Sequence, residues 1–138
     1  MEQRKNLKKL TMSKNVNNVV RIPTSIDGKF FRWWFEFLTP YHHLTHREID
    51  VITALVKHRY ELSKVISDEV ILDKVTMSND TKRKVREECG ITLTHFQVIM
   101  GKLRKNKVIL GNKINPRFIP NVTEDKGNFK LLMLFELK

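Results

Sequence analysis

The stretch VREECGITLTHFQVIMGKLRKNKVI, Val85–Ile109, decides how this chain folds. Its first part ends at Gly90, the residue type that most readily takes the positive φ at which helices stop. Just beyond it Thr92, with Thr94 as the alternative, can cap a new helix by accepting a backbone N–H of the first turn. Within that helix, which runs to about Asn106, Phe96, Ile99, Met100 and Leu103 recur at spacings that put them on one side. Lys102, Arg104 and Lys105 crowd the last turn, where cations suit the helix dipole. A short β-prone run, Val108–Leu110, follows. The order is helix, tight turn, amphipathic helix, strand.

Working upstream, Ser78 or Asp80 opens the helix that Gly90 closes. Thr45 and Glu48 form an S/T-x-x-E capping box, and Ile49, Ile52, Leu55, Val56 and Tyr60 follow at helical spacing, predicting a helix over 46–62. Residues 65–76 (VISDEVILDKVT) read equally as a short helix after Ser67 or as a strand. In KFFRWWFEFL, 29–38, Phe31, Trp33, Phe35 and Phe37 alternate with Arg32, Trp34 and Glu36, which favours a strand over a short helix, with Pro40 closing it. These aromatics suit a core or a subunit interface better than base stacking. Downstream, Gly111-Asn112 is a turn signal, and Ile114–Ile119, carrying Pro116 with Pro120 just beyond, suits an edge strand or extended wing. DKGN, 125–128, is a loop. Residues 129–137 (FKLLMLFEL) have apolar residues at every odd position, which predicts a C-terminal strand.

Charge points to the partner. Twenty-six Lys and Arg against fifteen Asp and Glu leave +11 over 138 residues. Between Thr81 and Arg117 ten cations face two acids, Glu87 and Glu88, a net of +8. Such an excess attracts polyanions, nucleic acid foremost. Residues 1–18, with Arg4, Lys5, Lys8, Lys9 and Lys14, read as a flexible basic arm. No apolar run is long enough to cross a bilayer, no apolar signal region follows the basic start, and no basic helix has the apolar face of a membrane binder. A cytoplasmic location in a host cell, or a place within a virion, is the expectation.

The chain offers little chemistry. Its one cysteine, Cys89, allows no internal disulfide and no multi-cysteine zinc site. Neighbouring Lys and Arg could lower its pKa, but a lone thiol in such a place reads better as a small core residue. His42, His43 and His46 lack the spacing of a metal set, and no phosphate loop, nucleophile elbow or carboxylate pair is present. No metal, cofactor or enzymatic activity is expected.

The Val85–Ile109 segment resembles the helix-turn-helix of winged-helix regulators, with Gly90 at the turn and Phe96 and Leu103 in the apolar slots of the recognition helix. The wider span 28–120 is similar to the plasmid replication protein L family, in which an aromatic lead-in precedes a helix, a helix-turn-helix, and a wing with an Asn-Pro-x-x stretch. Here that stretch is Asn115-Pro116-Arg117-Phe118. A weaker likeness is LTHREIDVI, Leu44–Ile52, to helix openings of other bacterial DNA-binding domains. The resemblance implies an α+β winged helix-turn-helix fold: a three-helix core with a β-hairpin wing, flanked by the aromatic and C-terminal strands. It also implies one domain over 19–138 with its core at 45–120.

On that reading the protein is a plasmid or phage replication initiator or transcriptional regulator, with duplex DNA favoured as its partner. Thr92, Thr94, His95 and Gln97 would reach base edges, and Lys102, Arg104, Lys105, Lys113 and Arg117 phosphates. The sequence departs from the pattern in three places. Arg86 fills a slot that is usually small, Gly101 interrupts the recognition helix, and apolar Leu93 and Val98 lie where DNA would be faced. With Trp33, Phe35 and Phe135, those two would instead suit contacts in a homo-oligomer or phage particle, the alternative reading: a structural assembly protein that reuses the fold.

Overall fold

A computed structural model describes residues 18–26, 29–122 and 127–138. The predicted basic arm lies outside the described residues, apart from Asn18. Among those described, the architecture is mostly helical with one small antiparallel sheet, an α+β composition. The elements in order are α1 (Phe30–Phe37), α2 (Thr39–His42), α3 (His46–Ser63), α4 (Glu69–Thr76), α5 (Asn79–Cys89) and α6 (Leu93–Lys105). Strands β1 (Ile109–Leu110) and β2 (Lys113–Ile114) follow, then a 3-10 turn, Pro116–Phe118. Helix α3 is the hub, with α1, α4, α5 and α6 all packed against it.

The capping residues work as read. The Thr45 hydroxyl accepts from Glu48 N while the Glu48 carboxylate accepts from Thr45 N, completing the box that starts α3. Ser78 caps α5 and Thr92 caps α6, each accepting a backbone N–H three residues on, from Thr81 and His95. Gly90, at φ 62°, ends α5, and Ile91 N donates back to the Arg86 carbonyl, turning the chain sharply into α6. The ambiguous 65–76 segment contains a helix capped by Asp68, whose carboxylate accepts from Ile71 N at 3.1 Å.

The aromatic segment is a correction. Residues 30–37 form a helix, not a strand, and the buried side chains are Phe31, Trp34 and Phe35, spaced three and one. A near-continuous apolar run carries both periods. What selects the helical one is α3, which offers a surface where one stripe of α1 can bury. Phe35 is fully enclosed, so it is a core residue and not an interface residue as expected; Trp33 is half-buried, and Phe37 is 46% exposed. Pro40 does not close the segment either, but sits in the first turn of α2, where its missing N–H costs nothing. The buried core therefore reaches from Phe31 to Phe118. The Trp34 indole donates to the Phe118 carbonyl at 2.9 Å, tying α1 to the far end of the fold.

The other two strand expectations also change. Pairing beyond β1 is limited to Ile109 with Ile114 and Leu110 with Lys113. Pro116 cannot donate to a ladder, and Asn115, whose side chain accepts from Arg117 N and donates to the Lys107 carbonyl, diverts the chain into the 3-10 turn. Residues 127–138 form no strand and lie exposed, because no edge among the described residues pairs with them. Helix α6 ends with Val108 N donating to the Leu103 carbonyl and Lys107 N to that of Arg104. This closure puts Lys107 at φ 60°, where glycine is the usual occupant.

His42 closes the corner between α1 and α3. Its Nδ1 accepts from Leu44 N at 2.9 Å, so Nε2 carries the proton and donates to the Phe35 carbonyl at 2.6 Å. Burial lowers its pKa, the Phe35 bond opposes that, and His43 adds a further lowering. A proton on Nδ1 would also meet the Leu44 N–H head-on. The unfolded chain therefore takes up a proton near the ordinary imidazole value of 6.5 that the folded site refuses. Stability contributed here is complete above that pH and is lost as pH falls below it. Urea midpoints at neutral and mildly acid pH will show this loss, and His42→Asn will reduce the difference between them.

Candidate nucleic-acid interface

Four side chains of α6 face the core: Phe96, Ile99, Met100 and Leu103. At 100° per residue, the side opposite them carries Thr94, Val98, Gly101 and Lys105, flanked by Gln97 and Arg104 on one shoulder and His95 and Lys102 on the other. All of these are exposed. The expected contact residues of α6 are thus brought together on one open face. Thr92 is the exception in role, since its hydroxyl is occupied in capping.

The electrostatics divide along the chain. On α5, Arg83 meets Asp80 at 2.6 Å and Glu87 at 3.7 Å, and Lys84 meets Asp80 at 3.2 Å. Hydrogen bonds from Arg83 and Lys84 hold the Asp80 carboxyl below its ordinary range. Elsewhere Arg32 pairs with Glu36 and Asp50, Arg47 with Asp50, and Arg59 with Asp73. From Cys89 to Thr123, by contrast, there is no acid at all, while Lys102, Arg104, Lys105, Lys107, Lys113 and Arg117 all fall there. None of these six forms an ion pair among the described residues.

Two of the six are held in place by neutral partners. Arg104 Nε donates to the Gly111 carbonyl at 3.1 Å, bracing the hairpin turn against α6 and using one of five guanidinium donors. Arg117 donates to the Tyr41 hydroxyl at 2.8 Å and lies over that ring, 5.7 Å from its centre. Lys113 is exposed on β2 and lines an open cleft of about 340 Å³ with Tyr60, the Arg59–Asp73 pair and Asn121. It faces α4 rather than continuing the α6 ridge. Sequence reasoning passed over Lys107 and Tyr41 as site residues. Lys107 could have been found from its place in Lys-Asn-Lys after the helix; nothing local marks Tyr41.

Nothing among the described residues requires Gly101 to be glycine. An added Cβ would meet nothing within 4 Å, and no positive φ requires glycine there. Gly101→Ala is therefore expected to raise stability by about 1 kcal/mol, the helix-propensity difference, measured by urea denaturation. If the open face of α6 touches a ligand closely, the same variant will weaken binding while strengthening the fold. That opposite movement separates a contact role from a structural one.

Val98, 57% exposed, is the large apolar residue on this face, and Leu93, 52% exposed, lies just beyond the Arg104 shoulder. Nothing among the described residues covers them. Cys89 is half-buried, and burial with nearby Asp50 pushes its thiol up despite Arg47, so it is protonated and unreactive near neutrality. Among the described residues no group of His, Cys, Asp and Glu could hold a metal ion, and no helix is long and apolar enough to cross a membrane. Compared with known families, curated proteins and solved structures, the chain matches none.

Proposed function

We propose that the chain is a winged-helix DNA-binding protein, a plasmid or phage replication initiator or transcriptional regulator, and that it binds rather than catalyses. On this reading α5 and α6 are the helix-turn-helix, α6 is the recognition helix, and β1–β2 with the 3-10 turn is a short wing. The observation that carries the reading is the open outer face of α6, cationic toward its C-terminal end, in a stretch free of acids. Thr94, His95 and Gln97, near the helix start, have the donors and acceptors to read base edges. Lys102, Lys105 and Lys107 at its end, with Arg104 and Arg117 in fixed positions, would neutralise phosphates. Each phosphate neutralised releases counterions, so log K should fall linearly with log salt, by about 0.9 per phosphate on duplex DNA. A mobility-shift series against salt tests this. Steep salt dependence is expected, and no retardation at low salt removes the proposal.

One observation favours a second reading. Val98 on the open face, with Leu93 exposed beyond its Arg104 shoulder, gives this side of α6 an apolar character that suits protein better than DNA. A structural component of a phage particle, using α6 as a subunit contact, would account for them. Mass in solution without DNA discriminates. A stable ring or larger assembly supports the structural reading, and a monomer or dimer counts against it.

A further inference from the structure

We propose that residues 129–137 are one strand of an antiparallel two-stranded ribbon whose other strand is the same segment of a second copy of this chain, with Met133 on the two-fold axis. The inference is independent of DNA binding. The segment has the composition of a strand but no partner: Leu132, Leu134, Phe135 and Leu137 are 62%, 71%, 77% and 95% exposed. Four large apolar side chains within six residues do not remain in water when a complementary surface exists. The only sheet among the described residues pairs two residues with two, and the segment joins neither of its edges.

The sequence of the segment specifies its own partner. In an antiparallel pair centred on Met133, Lys130 faces Glu136 of the second copy and Glu136 faces its Lys130, giving two opposite-charge pairs by symmetry. Leu131 then faces Phe135, and Leu132 faces Leu134. A parallel in-register pair would instead set Lys130 against Lys130 and Glu136 against Glu136. Charge therefore selects the antiparallel arrangement.

A two-stranded ribbon is marginal in water without cover for its apolar face. The structure supplies the start of that cover. The Phe129 ring meets Phe30 at 5.0 Å and Trp34 at 5.4 Å, both edge-on, so the first odd-numbered residue already rests on α1. The odd-numbered face of the ribbon, apolar throughout, would continue along the aromatic helices, where Phe37 and Tyr41 are exposed.

Sedimentation velocity on the full chain, over a dilution series, should show a reversible dimer of twice the 16.4 kDa chain mass. Glu136→Lys and Lys130→Glu each turn both ion pairs into repulsions and should weaken the dimer about tenfold. Mixing the two variants in equal amounts restores both pairs in the heterodimer, as the double exchange Lys130→Glu/Glu136→Lys does in a homodimer. Both lie on an exposed segment, and recovery on mixing shows that each variant is folded. In a Cys89→Ala background, Met133→Cys should form a covalent dimer when oxidised glutathione is added as the two-electron oxidant, because facing Cα atoms lie about 4.5–5.5 Å apart, within disulfide reach. Leu137→Cys should not, its own copy lying far along the ribbon. A monomer at every concentration, a dimer indifferent to Glu136→Lys, open-ended fibres, or equal cross-linking at 133 and 137 would each overturn the proposal.

Discussion

Phe35→Ala will destabilise the fold by about 3–5 kcal/mol, the range for emptying a buried phenylalanine site, while Phe37→Ala, two residues on, will cost a small fraction of that. In a strand the two side chains would share a face and respond alike. In α1 they are some 200° apart around the axis: Phe35 is fully enclosed, whereas Phe37 is 46% exposed. The Phe35 backbone carbonyl, which accepts the His42 hydrogen bond, is kept in the alanine variant, so the loss reports the ring alone. Since a domain of this size is stable by only about 5–15 kcal/mol, the Phe35 variant should lose much of its cooperative melting. Equal losses at the two positions, read by thermal or urea unfolding, would show that the segment is not this helix.

The second large effect is on binding. Replacing Lys102, Lys105 and Lys107 together by Gln should weaken duplex DNA binding about 100-fold at low salt and reduce the salt slope by about 0.9 for each phosphate no longer neutralised. Stability should change little, because no ion pair among the described residues involves them. Two controls sharpen the result. Arg83→Gln with Lys84→Gln removes as much formal charge per residue from α5, but those side chains are already matched by Asp80 and Glu87, so the effect should be several-fold smaller per charge. Lys113→Gln removes a cation that faces α4 and should also matter less. If all these lysines and arginines behave alike, net charge rather than the α6 face governs attraction, and the site as drawn is wrong.

The helices that the chain announces are those whose ends are marked. Thr45 with Glu48, Ser78, Gly90 and Thr92 each satisfy an orphan backbone group locally, so their meaning does not depend on what packs where. The inward face of α6 was legible for the same reason: Phe96, Ile99, Met100 and Leu103 fit only a helical period. Residues 30–37 were not legible, because a run so rich in aromatics satisfies either period and the choice belongs to α3, which lies beyond it in sequence. The segment 129–137 failed differently. Its pattern is that of a strand, but a strand exists only with a partner, and this chain provides none among the described residues. For the site, residue type and charge were readable, whereas pairing was not. That Arg83 and Lys84 are neutralised on their own helix, that Arg117 rests on Tyr41, and that Lys113 looks toward α4 are facts of packing.

The bond from the Trp34 indole to the Phe118 carbonyl bears on how this protein can be cut. It joins the first described helix to the last turn of the body, so everything between is a closed circuit rather than a module that α1 merely precedes. A fragment trimmed to Thr45 would keep every residue of the proposed DNA-reading helix and yet expose the flank of α3 that α1 covers, strand the Phe118 oxygen, and leave Tyr60 without the Phe31 ring 5.5 Å away. The smallest self-sufficient unit is therefore set by the aromatic helix and not by the capping box that follows it.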